Sequence, residues 1–191
     1  MELIASSDGG RGYAAAMICL PDGPDGRDLL ALARRSYCVG WSSHWTPAMS
    51  EMAGIVALLD MALADLDAAP EWQTLTCHSD NIPVTEAVVD GSVSAQYLID
   101  AGRSHWVPLW RCIMERKDAL HLRGKEVVFW IPDQGRNSRI IEHADAMVRR
   151  MQRGQEEPTH YMPSDLHTAM DDALNDVSRS RREDRDLRRR L

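Results

Sequence analysis

The chain has 191 residues, enough for one domain with some chain left over, and 44% of them are hydrophobic, enough for a proper core. A net charge of −7 argues against a general nucleic-acid binder held by bulk charge. No apolar run reaches the length of a membrane span, and the four cysteines (Cys19, Cys38, Cys77, Cys112) form no Cys-x-x-Cys pair, so zinc is not expected and free thiols in the cytoplasm or another reducing compartment are.

Glu2 to Ser7 reads as a buried strand that starts almost at the first residue, which leaves no room for a signal or transit peptide. Gly9-Gly10-Arg11-Gly12 is a turn, and Tyr13 to Leu20 a second strand. A turn cluster at 21–26 precedes Leu29 to Val39, read as a third strand, although Leu29 to Ala33 also fits a helix. Short turns between these strands predict an antiparallel meander. Thr46-Pro47 starts a long helix, with Thr46 as N-cap and Met49, Met52, Ala53, Val56, Leu59 and Leu63 at helical spacing. Gln73 to Ser79 is a fourth strand, Asn81 to Val89 a short helix or turn closed by Asp90-Gly91, and Trp106 to Leu122 a helix. Glu126 to Ile131 is a fifth strand and Arg139 to Gln152 a further helix. The fourth and fifth strands each follow a helix and are expected to run parallel to the first.

Residues 154–163 read as a linker after a domain spanning 1–153, and Leu166 to Val177 as one short amphipathic helix. From Ser178 to Leu191 there are seven arginines and three acids, which leaves the rest of the chain near −11. That end is expected to be disordered on its own. It fits an RNA or an acidic protein surface, and equally a solvated mixed-charge tail.

Four carboxylates stand in contexts that favour one shared centre. Asp8 ends the first strand run, Glu51 opens the apolar helix, Asp80 follows Leu75-Thr76-Cys77-His78-Ser79, and Asp145 lies in Glu142-His143-Ala144-Asp145. Such a cluster repels itself unless cations hold it, and carboxylate and water ligands suit Mg²⁺ or Mn²⁺. Two such ions are the usual machinery for cutting a phosphodiester. Each residue also has an ordinary reading: Asp8 a turn residue, Glu51 favourable in a first helical turn, Asp80 a cap, Asp145 a solvated helix residue. Their joint occurrence favours the metal site. His78, two residues before Asp80, is read as pointing to the opposite face.

That order of elements and carboxylates resembles the ribonuclease H family over roughly residues 1–153. Ser7-Asp8-Gly9-Gly10 looks like the family's first-strand aspartate and turn, and Met49-Ser50-Glu51-Met52 like its glutamate helix. His78-Ser79-Asp80-Asn81 looks like its fourth-strand aspartate. Phe129-Trp130-Ile131-Pro132 and Glu142-His143-Ala144-Asp145 look like its last strand and helix. The resemblance implies an α/β fold, a mixed five-stranded sheet (three antiparallel strands, then two parallel) flanked by helices. It implies two Mg²⁺ or Mn²⁺ ions held by Asp8, Glu51, Asp80 and Asp145, and hydrolysis of the RNA strand of an RNA/DNA hybrid. Two other readings stand beside it: a non-catalytic ribonuclease H-like subunit of a nucleoprotein assembly, and a related DNA nuclease or resolvase. The chain departs from the family in having Gln134 roughly where a loop histidine is common; Gln134 cannot shuttle a proton. The expected substrate contacts are Gly9 and Gly10, which let a backbone approach, with Asn81, Arg103, Trp106 and Gln134. Trp106 fits a stacking residue or a packed one, whereas Trp110 is read as core.

Overall fold

A computed structural model describes residues 1–22, 28–40, 45–64, 69–89, 93–130 and 139–190. Expectations placed on 23–26, on Asp90-Gly91, on Ile131-Pro132 and on Gln134 lie outside the described residues.

Strands β1 (Glu2–Gly10), β2 (Tyr13–Asp22) and β3 (Asp28–Cys38) form the expected meander. Helix α1 (Pro47–Leu63) leads to β4 (Thr74–His78), and α2 (Ile82–Val89), α3 (Ala95–Asp100) and α4 (Val107–Leu122) lead to β5 (Glu126–Trp130). Helices α5 (Arg139–Gln152) and α6 (Ser164–Arg190) follow. The five strands lie in the order β3-β2-β1-β4-β5, with β4 parallel to β1 and β5 parallel to β4. Both parallel joins come after helical crossovers, as parallel pairing requires. The sheet is therefore the expected mixed one, with β1 at its centre. No helix among the described residues is long and apolar enough to cross a membrane.

Thr46 caps α1 by accepting from the Met49 N–H at 3.3 Å, and Pro47 fills the first helical position. Every residue of α1 from Met49 to Leu59 is buried, a wider face than the single stripe in the sequence. The cause is its place between the sheet and α4: a helix covered on both sides is apolar all round. Helix α5 packs against β1 and β2, and the buried Ser6 hydroxyl ties it down by donating to the Ile140 carbonyl at 2.6 Å.

The short helix expected around 166–177 is the first half of a 27-residue helix that runs through the arginine-rich end. No glycine or proline follows Pro163 to stop it. Leu166, Ala169, Met170 and Ala173 join the same core as the sheet and α1. Arg116 fastens this helix: its guanidinium bonds Asp60 of α1 at 2.7 Å and Asp165 of α6 at 2.8 Å. Ahead of α6, the chain docks on the edge of the sheet, where the Thr159 and Ser36 hydroxyls each accept the other residue's backbone N–H.

Candidate active site

Alternation along β1 decides what each side chain sees. Leu3 and Ala5 enter the core beneath α1, whereas Ser6 bonds α5 and Gly10 lies against Gln152 and Val148 of α5. Asp8 shares the parity of Ser6 and Gly10. Ser6 of β1 is the register partner of His78 of β4, so the two strands run on side by side towards Asp8 and Asp80.

Helix α1 supplies the third carboxylate by an unusually close approach. A Cβ on Gly9 would fall on the Ser50 carbonyl group, and one on Gly54 would lie 2.8 Å from the Asp8 carbonyl oxygen. Two glycines, one on each element, thus let the first turns of α1 press onto the end of β1. Asp8, Glu51 and Asp80 each offer an oxygen within 4.8 Å of the others'. Glu51 is buried, Asp8 half-buried and Asp80 exposed, so the group opens to solvent on one side.

Burial pushes the Glu51 carboxyl well above its ordinary value of 4.5, and the charges of Asp8 and Asp80 push it the same way. Burial also raises Asp8, with Asp80 and Asp145 adding to the shift, while a hydrogen bond from Glu51 and the Gly9 amide oppose it. Glu51 Oε2 is buried with no hydrogen-bond partner. Left without a cation, this is a costly arrangement: like charges meet and a buried acceptor is unsatisfied. Both features fit hard divalent cations, which take carboxylate oxygens as ligands and reverse the local charge.

Asp145 lies in α5 and is near enough for its charge to raise Asp8, but it is not one of the three converging groups. Its carboxylate is paired with Arg149 at 2.8 Å, one turn along the helix.

The remaining expected residues divide. Gly9 and Gly10 line the sites where α1 and α5 meet β1. Asn81 caps α2, its side-chain oxygen accepting from the Val84 N–H at 3.2 Å. Trp106 is a correction: it is only 7% exposed and packs in the core beside α3, α4 and α6, with no face to offer a base. Arg103 covers that ring, with its guanidinium carbon 4.6 Å from the centroid. Trp110 is half-buried against the core, and its indole N–H donates to the Ala87 carbonyl. His78 is a second correction. Residues two apart on a strand share a face, and His78 lies on the Ser6 side of the sheet, stacked on Trp130 at 4.7 Å. Gly54 was missed; only its small size among the large apolar neighbours of α1 marks it.

The acidic group has a thermodynamic consequence. Folded carboxyls with raised pKa hold protons that the unfolded chain releases, so the Glu51 contribution to metal-free stability is fully present below about pH 4.5 and is lost as pH rises and Glu51 is forced to ionise. Glu51→Gln removes that loss. In chelator the variant is expected to melt a few degrees above the parent at pH 8, with the difference shrinking towards pH 4. Thermal melts across that range check it.

The sequence matches no protein-family model and no curated protein. Solved structures do match. RNase H1 from the halophilic archaeon Halobacterium salinarum is 18% identical, with 81% of this chain and 99% of that one aligned at a TM-score of 0.51. LC11-RNase H1, isolated from compost by a metagenomic approach, is 14% identical over 79% of this chain and 98% of its own, at 0.51. LC9-RNase H1, a type 1 RNase H with the type 2 active-site motif, is 10% identical over 81% and 74%, at 0.54. The chain has the ribonuclease H-like fold.

Proposed function

We propose that this protein is a metal-dependent endonuclease that hydrolyses the RNA strand of RNA/DNA hybrids. The observation that carries the reading is the convergence of Asp8, Glu51 and Asp80, with a buried, unpartnered Glu51 oxygen among them. The fold supports it, and the structural neighbours bear the name ribonuclease H.

Asp8, Glu51 and Asp80 would hold Mg²⁺ or Mn²⁺, with Asp145 as a further ligand from α5. Two such ions, when bound, lower the pKa of the attacking water and neutralise charge on the leaving oxygen. The chain's own residues do the rest. The close packing of α1 on β1 fixes Glu51 against Asp8, so little reorganisation is needed on binding. Gly9 and Gly10 keep bulk away from the approaching backbone.

The test is cleavage of a labelled RNA/DNA hybrid with Mg²⁺ and with Mn²⁺, beside single- and double-stranded RNA and DNA. Cutting confined to the RNA strand of the hybrid supports the reading; cutting of DNA alone points to the related DNA nuclease. The ion pair that engages Asp145 favours a second reading, a binding subunit of a nucleoprotein assembly. A folded protein that binds the hybrid and cuts nothing would establish it.

The far end of α6 is part of the same proposal. Among the described side chains its last core residue is Val177, and Arg181, Arg182, Arg185 and Arg188 are all exposed. At 100° per residue those four positions fall within about 120° of arc on the helix. We assign this stripe to the phosphate backbone of the substrate. Deleting 179–191 is expected to weaken hybrid binding on the order of tenfold at low salt, and little at high salt. Fluorescence anisotropy at two ionic strengths checks it.

A further inference from the structure

The β1–β2 hairpin carries a feature that turn formation does not explain. Gly10 pairs with Tyr13, leaving a two-residue loop in which Arg11 has φ +43° and Gly12 φ +87°. Positive φ at both positions defines the turn type that prefers Asn-Gly. Arg11 is the one non-glycine residue with positive φ among the described residues. A side chain held in a disfavoured conformation points to a use for that side chain.

Beside it is an open cavity of about 350 Å³, lined by Arg11, Gly12, Tyr13, Cys38, Gly40 and Gln152. No acidic side chain is among these, in a chain of net charge −7. Arg11 is exposed, and no carboxylate among the described residues pairs with it. Gln152 is fixed in the wall, its amide donating to the Gly10 carbonyl at 3.0 Å. The polar groups that remain to meet a ligand include the Arg11 guanidinium and the Tyr13 phenol, both donors. A guanidinium and a phenol at a cavity that no carboxylate lines fit a phosphodiester.

Its position fits the substrate. Arg11 lies three residues past Asp8, just beyond the end of β1, about 10 Å at the rise of a strand and so within a few nucleotide steps of the carboxylates. We propose that the cavity at the β1–β2 hairpin is a subsite for a backbone phosphate of the bound nucleic acid a few nucleotides from the cut, with Arg11 as its anchor. The proposal rests on the nuclease reading of the carboxylates.

Arg11→Asn separates the two roles of the residue. It gives the turn its preferred Asn-Gly pair, so the variant is expected to melt at or above the parent's temperature. Binding of a labelled RNA/DNA hybrid, followed by anisotropy in chelator, is expected to weaken about three- to tenfold, with the slope of log K against log salt shallower by about one phosphate's share. Arg11→Lys is expected to keep most of that slope. Unchanged affinity and slope in a well-folded Arg11→Asn protein would overturn the subsite and leave the nuclease reading standing. A wild-type protein that binds no nucleic acid would overturn both.

Discussion

Asp80→Asn is expected to lower hybrid cleavage roughly a thousandfold or more while leaving the protein folded. Asp80 is exposed and makes none of the contacts that hold the core, so its loss leaves the fold intact. It is also one of the three carboxylates that converge among the described residues, so its loss removes one of the charges that would hold the ions. Single-turnover cleavage at saturating Mg²⁺ measures the effect, and circular dichroism controls for folding. Asp8→Asn extends the test without needing a substrate. Mg²⁺ or Mn²⁺ is expected to raise the melting temperature of the parent by a few degrees, because an ion that binds only the folded state stabilises it by mass action. Asp8 touches both other carboxylates electrostatically, so its amide should abolish that rise. Without metal the amide variant should melt higher than the parent, because like-charge repulsion is relieved. A parent indifferent to both ions, or an Asp80→Asn enzyme as active as the parent, would remove the metal reading.

Much of this arrangement was legible in the sequence, for physical reasons that differ from residue to residue. The strands and α5 are marked by periodicity and by their turns, and α5 ends where its apolar spacing does. Thr46-Pro47 announces α1 because an N-cap oxygen and a proline without an N–H suit only the start of a helix. Asp8, Glu51 and Asp80 could be found because each stands near the end or the start of an element, whereas Asp145 lies in the middle of α5. What stayed hidden was set by tertiary contacts. Trp106 looks like a groove residue until α6 and Arg103 are seen to cover it. Helix α3 has only six residues, with Tyr97 and Ile99 exposed, too short for a periodic pattern. The full burial of α1 depends on α4, far along the chain, and the length of α6 depends on the absence of a stop rather than on any positive mark. Asp145 was placed correctly on its helix, but its pairing with Arg149 is one of several geometries that an i, i+4 spacing allows.

The largest structural effect is expected from the smallest change, Gly9→Ala. The added methyl would coincide with the Ser50 carbonyl and crowd the Glu51 amide, both backbone groups in the first turns of α1. A flexible side chain could swing aside, but a helix backbone cannot, least of all one buried from Met49 to Leu59 between the sheet and α4. The strand and helix must therefore separate locally, at a cost of about 3 kcal/mol, the upper end for overpacking by one methyl group. Gly10→Ala makes the matched control. It sits next door on the same strand, but its methyl would meet the Gln152 amide at 3.0 Å, the far end of a long side chain. Denaturant melts should show a large loss for Gly9→Ala and a small one for Gly10→Ala. The two should also part in metal response. Moving α1 off β1 carries Glu51 away from Asp8, so Gly9→Ala is expected to lose the Mg²⁺-induced rise in melting temperature even where it remains folded. Gly10→Ala, with all three carboxylates in place, should keep it. Equal behaviour of the two variants would mean that the close approach of α1 does not set the carboxylate geometry, and that Glu51 reaches Asp8 by side-chain freedom alone.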